Sequence, residues 1–573
     1  MLGKGPARAP WLLLALALHS AQQPASAEEA GAVKLRCNAS ALAPGSSLEL
    51  THKLDQSGSC GDNSCPPADH WPCAIAGPAA GAPATVVLPP DDCALHAGGD
   101  ITLSGRIAFV AGVANDCCHD GEGHGSIMCT DSGGNITIAP GAVITVQARS
   151  DDPEASVGPG GFHADGRLTV FGTVNASLLP GQRLTGRNGL LAGNGGSLSR
   201  GRRKRNRLGE YSLDDGRLLH VAPTGVVVVR GGSSAFGSAL AGGDGGVRVD
   251  GLVECSDYAG GGDGGCIDGG HHFVLGPSGV VRASNGSIGD AGGVVTADSL
   301  TFEGGLLTAD NIHVKSSGGV LAADQVNLSG NATIIARNVR SEGGGSVVAG
   351  TNLTLRDSAR IEDHGGWGGD GGAAGVSLAA FYDDSSMLCE GTYADICGAC
   401  LSGEVQLAGN SSVVARNTSA KVQGGALCGQ YPKQNLMLAD TASVTVTGSR
   451  AELRGGAIFA HNVTLSGAAR VRLQDASAPC GAAAAGIDTQ NLLGGGYVTV
   501  EGSSGASLLV VDAKGQNASL GCLSIEANLV DQSGKTIEQP CSACTAPNFP
   551  PSHQAACKCG NVVTAPVREC CDA

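Results

Sequence analysis

Residues 362–364 read Glu-Asp-His, and Asp370 follows six positions later. Carboxylates beside an imidazole are what general acid–base chemistry needs. Asp383-Asp384 and His271-His272 are further pairs of this kind. Such groups would suit a lyase, hydrolase or epimerase acting on an acidic polysaccharide, which gathers acid/base groups and cations on one face. The surroundings argue against it. Aromatic residues are 3% of the chain, which leaves few rings to stack on sugars. Only Arg356 and Arg360 stand near Glu362–His364 to neutralise a uronate. The residues therefore favour a protein that is not an enzyme. The polysaccharide-active enzyme is the alternative, with Glu362, Asp363, His364 and Asp370 as its catalytic candidates.

Gly-Gly-Asp-Gly-Gly occurs three times, at 242–246, 261–265 and 368–372, which makes Asp244, Asp263 and Asp370 candidate calcium ligands. Calcium-binding solenoids carry their aspartates in tandem nonapeptides. Here the copies are scattered and the aspartate is displaced. A tight glycine turn with one solvated carboxylate is the simpler reading, and no cofactor or metal is expected. Asp298 and Asp324 lie 26 residues apart and would stack as like charges in a coil of that length, which demands solvation or a bridge. No phosphate loop, dinucleotide fingerprint or Ser/His/Asp spacing stands out.

The ends of the chain and its cysteines indicate export. Lys4 and Arg8, the apolar run Trp11–Leu18 and Ala25-Ser26-Ala27 have the layout of a secretory leader over residues 1–27. The run is too short for a membrane span, which needs about 20 residues, and no transmembrane segment is expected elsewhere. The 22 cysteines fall in clusters of even size, as local disulfides leave them in an oxidising compartment. Cys397-x-x-Cys400 and Cys541-x-x-Cys544 lack histidines at zinc-ligand spacing and read as disulfide partners. Eleven Asn-x-Ser/Thr sequons would accept glycans: Asn38, Asn135, Asn175, Asn285, Asn327, Asn331, Asn352, Asn410, Asn417, Asn462 and Asn517. In "NITI", "NLTL" and "NVTL" a strand would turn Asn and Thr outward together. The formal charge of −16 disfavours nucleic acid and anionic membranes as partners. A secreted or cell-surface location follows, with a surface or matrix protein or glycan as partner.

What positions these side chains is a repeat. "GGVVTADSL" begins at Gly292, "GGVLAADQV" at Gly318, "GGSVVAGTNL" at Gly344 and "GGAAGVSL" at Gly371, in steps of 26, 26 and 27 residues. A second apolar residue recurs eight positions after the first: Val326 and Ile334, Leu353 and Ile361, Val405 and Val413, Leu436 and Val444, Val463 and Val471. Short Val- and Leu-rich runs broken by Gly, Asn, Asp and Ser are strands rather than helices. A period near 26 predicts an all-β chain folded as a right-handed parallel β-helix, a solenoid with cysteine-rich ends. Gly-Gly belongs at corners, where stacked backbones approach closely. By composition the chain divides into a cysteine-rich region over 28–130, the solenoid over 131–535 and a cysteine-rich tail over 536–573.

"GGAIFAHNVTLSG" contains Gly455-Gly456-Ala457-Ile458 and Phe459-x-x-Asn462, and "ARNTSAKVQGGAL" repeats the pattern at Gly424-Gly425. These residues resemble both signatures of the chlamydial polymorphic outer-membrane protein repeat, specifically over 405–480 and more loosely from about 290. The resemblance implies a surface-displayed β-helical adhesin and would add the cell envelope or outer membrane as a location. The chain departs from that family in adding a cysteine framework and dense sequons. A eukaryotic secreted β-helix carrying the same repeat, with an adhesin-like binding or structural role, is the expectation.

Arg202-Arg203-Lys204-Arg205 fits the Arg-x-Lys/Arg-Arg pattern that secretory proprotein convertases prefer, with Arg202 and Arg205 as its defining residues. A solvated basic loop on an acidic protein is the other reading. Cleavage after Arg205 would leave eight cysteines upstream and fourteen downstream, so disulfides could close within each part. Two fragments should then separate on a non-reducing denaturing gel of protein from convertase-competent secreting cells. A single intact band leaves the loop as a surface feature.

Overall fold

The computed structural model describes residues 42–49, 73–87, 99–111, 126–130, 133–148, 161–177, 218–234, 239–260, 264–429, 434–452, 456–476, 487–494, 497–501 and a few shorter segments. All lie in one compact unit, Arg36–Ala573. The leader, Asn38, residues 202–205, Asp263, Gly455, Asn517 and the tail over 536–573 fall outside the described residues.

Each turn of the chain gives a bent strand to each of two long sheets. Ser299–Phe302 lies in the first sheet and Leu306–Val314 in the second. The chain then returns to the first sheet as Leu321–Leu328. Pairing is parallel. Val280 pairs with Leu306, and the column continues through Thr333, Arg360, Ser386 and Ser412, at offsets of 26, 27, 27, 26 and 26 residues. The result is an all-β parallel solenoid of about 11 turns, about 27 residues apart. Among the described residues the one helical element is the single 3-10 turn Gly243–Gly245. The stack also runs into the cysteine-rich region, where Ser47–Glu49, Ala84–Val87 and Arg106–Ala111 pair in succession and lead on to Val143–Ala148.

The repeat pattern becomes the core. All ten apolar residues of the eight-residue pairs are buried. The first of each pair lies in the first sheet and the second in the second sheet, so the spacing of eight is the passage around the turn between them. Gly-Gly opens the return to the first sheet. Gly318 has φ 72°, which side chains disfavour, and a Cβ on Gly319 would strike the backbone carbonyl of Ser346 on the next coil. Gly292-Gly293 and Gly424-Gly425 repeat the arrangement, the latter against Gly456. Behind each pair two small or apolar residues enter the core, as Ala457 and Ile458 do.

A second corner bends the strand within the second sheet. Asp257, Asn285, Asn311, Asn338, Asn417 and Asp475 hold it with φ between 52° and 56°, and Gly365, Gly391 and Gly448 occupy the same place in other coils. Asn and Asp tolerate this left-handed conformation better than other side chains. They also bond along the stack. Nδ2 of Asn285 donates to Asp257 Oδ1 at 2.9 Å, and Asn338 Nδ2 donates to Asn311 Oδ1 at 3.3 Å.

Three disulfides brace the described coils. Cys255–Cys266 and Cys389–Cys400 each close one coil over 11 residues, and Cys397–Cys428 ties neighbouring coils. Both cysteines of Cys397-x-x-Cys400 are thus structural.

The register makes a mutational prediction. Leu465 is buried, whereas its neighbour Thr464 faces outward and is half-buried. Leu465→Ala should cost about 2–5 kcal/mol and Thr464→Asp no more than about 0.5 kcal/mol. Thermal or denaturant unfolding of the secreted protein would show the wrong register if the two costs were equal.

Candidate functional site

The four residues proposed for catalysis occupy three different surroundings. Strand Arg360–His364 alternates outward and inward side chains, with Glu362 and His364 outward and Asp363 fully buried. Outside, Arg360 Nε lies 2.7 Å from Glu362 Oε1. His364 sits between two carboxylates, with Nε2 3.3 Å from Glu362 and Nδ1 3.1 Å from Glu390. This is a charged network on a sheet face. Asp383 is also structural: its carboxylate accepts the backbone N–H of Asp357 at 3.2 Å, and Asp384 accepts from Asn410 Nδ2 at 3.0 Å.

Asp363 is enclosed between coils. Ser346 Oγ, itself buried, donates to Asp363 Oδ2 at 2.6 Å, and Oδ1 lacks a hydrogen-bond partner. Gly366 makes the room, because a Cβ there would collide with the carboxylate. Burial pushes the Asp363 carboxyl up to about 7, against the smaller opposing effects of Ser346 and His364.

Asp370 lies elsewhere, in a groove of about 450 Å³ at the bend of the first sheet. Its floor is small, formed by Ala297, Ala322, Ala323, Ala349, Gly350 and Gly375, and its polar groups are Thr296, Ser317, Ser377, Ser402 and three aspartates, Asp298, Asp324 and Asp370. Glycine at 350 is required by the approach of the Ala323 carbonyl. The pair foreseen as stacked is stacked: Asp324 N donates to the Asp298 carbonyl at 3.1 Å. His271 Nδ1 lies 2.8 Å from Asp298 Oδ2, so one member of the pair has an imidazole partner. Burial raises the Asp370 carboxyl above the usual carboxylate range. Of the other calcium candidates, Asp244 lies in the turn Gly243–Gly245. Among the described residues no three His, Cys, Asp or Glu side chains converge as metal ligands do.

A second polar constellation was not visible in the sequence. Arg248 bonds Asp250 through Nε at 2.8 Å and Nη2 at 3.1 Å, and reaches Glu303 on a further coil at 3.0 Å. His220 Nε2 lies 2.9 Å from Asp250 Oδ2. Burial opposes ionisation of Asp250, but the bonds to Arg248 and His220 outweigh it and hold the carboxyl below its usual range. Gly276 leaves space for that carboxylate. Alternation in "VRVD" shows that Arg248 faces outward; the closure across coils depends on register.

The sequon asparagines are all at the surface where their side chains are described. Asn285, Asn327, Asn331, Asn410 and Asn417 are exposed, and Asn135, Asn175 and Asn352 are half-buried. None of the eight lines the groove. Asn462 lies in strand Ile458–Leu465 of the first sheet. No family model, curated protein or solved structure matches this chain.

Asp363 sets a pH dependence. Its ordinary value is 3.8 and its folded value about 7, so between these the folded chain keeps a proton that the unfolded chain releases. Stability should therefore fall as pH rises through that window, by up to about 4 kcal/mol, and be greatest below it. Asp363→Asn should remove this slope and gain most over the wild type above pH 7. Parallel melting curves across the window test it, and equal slopes would refute the assignment.

Proposed function

We propose that the protein is a secreted, glycosylated β-solenoid acting as an adhesin-like binding protein at a cell surface or in matrix, with the groove at the bend of the first sheet as a contact site. Three disulfides support an oxidising compartment. Among the described residues no helix is long and apolar enough to cross a membrane. The resemblance of 405–480 to the chlamydial repeat supports adhesion. The observation that carries the proposal is the groove itself: a concave surface crossing several coils, rimmed by carboxylates and hydroxyls, with none of the described sequon asparagines among its lining residues. Three aspartates repel polyuronates, so the groove suits a neutral or cationic chain, either a glycan or a peptide.

The same carboxylates, with His271 on Asp298, also favour a second reading as an enzyme of neutral glycans. New reducing ends after incubation with neutral polysaccharides would decide for it.

The binding proposal is tested by filling the groove. Ala323→Asn with Gln325→Thr creates a sequon whose asparagine takes a half-buried position lining the groove and whose threonine is exposed two residues on. The glycan should abolish attachment of the purified protein to cells or matrix that bind the wild type, while secretion stays unchanged. Undiminished attachment by the glycosylated variant would remove the groove from the contact.

A further inference from the structure

We propose that the groove holds an extended, basic segment of a partner protein, laid along the stack with cationic side chains three positions apart. The inference rests on the groove as a contact site and narrows its occupant to a peptide. Five successive coils line it, through residues 291–298, 317–324, 344–350, 370–377 and Ser402. Four steps between coils span about 19 Å, the length of about six residues of an extended chain. Each of the first four coils reaches the groove twice, at its glycine corner and at the bend of the returning strand. One wall runs from Ala291 through Ser317 and Gly344 to Asp370, and the other carries Asp298 and Asp324.

The charge of the groove is one-sided. Among its described lining residues there is no lysine or arginine and no aromatic ring. The nearest described cation along the chain, Lys315, lies outside the lining, and Glu342 adjoins it on the next coil. Asp298 is engaged by His271, so Asp324 and Asp370, both exposed, are the carboxylates offered to a ligand. They stand on opposite walls, two coils or about 10 Å apart. Residues three apart in an extended chain are separated by that distance and point to opposite sides. Glycine at 344, 350 and 375 leaves room for a backbone between the walls. Beyond Asp370 the wall turns apolar. Ile396 N donates to the Gly369 carbonyl at 2.9 Å, which sets Ile396 on the coil after Asp370. It is the one exposed large apolar side chain among the described residues. A guanidinium on each carboxylate and an aliphatic side chain on Ile396 describe a peptide of the form Arg-x-x-Arg-x-Leu; a glycan has no counterpart to the leucine.

The probes are the fluorescent peptide Ala-Arg-Ala-Ala-Arg-Ala-Leu-Ala and its reversed sequence, titrated by anisotropy into the full chain from a secreting eukaryotic cell. Asn352 lies two residues beyond Gly350, so Asn352→Gln is titrated in parallel to remove a glycan from that strand. One of the two peptides should bind, and more weakly as salt rises. Glutamate in place of both arginines should abolish binding. Moving the second arginine by one position, onto the side of the first, should weaken it about tenfold. Asp324→Asn with Asp370→Asn should weaken it at least about tenfold, and Ile396→Ser about threefold. Asp310→Asn with Glu254→Gln, the same charge change on the second sheet, should leave it unaltered. Unchanged melting temperatures establish that the variants fold. The inference is overturned if neither peptide binds either form, if the second-sheet pair loses as much as the groove pair, or if a chitosan hexamer binds more tightly than both peptides. If the peptides fail while the sequon at 323 still blocks attachment, the groove remains the contact and this occupant is rejected. If they bind while that sequon leaves attachment intact, the peptide site stands and the adhesive reading falls.

Discussion

The parallel backbone ladder is the constraint on which the rest of this molecule depends. Each strand satisfies its N–H and C=O groups through the coils before and after it, which requires the chain to return to the same place about every 27 residues. Every position then becomes a column running along the stack. A side chain is judged against its neighbours above and below as much as against its neighbours in sequence. Inward columns are filled with Val, Leu, Ile and Ala. Corners are held by Gly, Asn and Asp, because stacked corners need both a left-handed backbone and a close approach.

Departures from the columns are compensated locally. Asp363 occupies an inward position where the adjacent coils have Ala336 and Cys389, and it is accommodated by a hydrogen bond from Ser346 and the missing side chain of Gly366. Gly276 serves Asp250 in the same way. Cys255 and Cys389 use a comparable inward position to fasten a coil across its interior, with the same loop of 11 residues. A repeated cross-section therefore tolerates a charge, a network or a cross-link wherever the facing position becomes smaller.

Function on such a scaffold is a matter of faces. The bend of the first sheet has aspartates around a small-residue floor, and the lower part of the second sheet has arginines among hydroxyls. No described sequon asparagine lines the groove, although Asn352 lies two residues beyond Gly350 on the same strand.

The sequence alone determined the strand type, the coil length, the core columns and the Gly-Gly corner. The reason is that period-two burial, the eight-residue step and Gly-Gly all arise from local chain geometry repeated at a fixed interval. It also turned Asn352 and Thr464 outward, since alternation decides the face of a strand. Glu362, Asp363 and His364 show where local reading ends. They look like one cluster in sequence, yet a strand turns Asp363 into the core and its neighbours to solvent. Only the tertiary structure gathered Asp298, Asp324 and Asp370 around one groove and joined Arg248 to Glu303 across 55 residues. Those proximities run along the stack. They depend on how many residues each loop holds out of the stack: the step from Arg360 to Ser386 is 26 residues and that from Ser412 to Ser443 is 31, yet all four lie in one column, so spacing in sequence does not say which side chains meet.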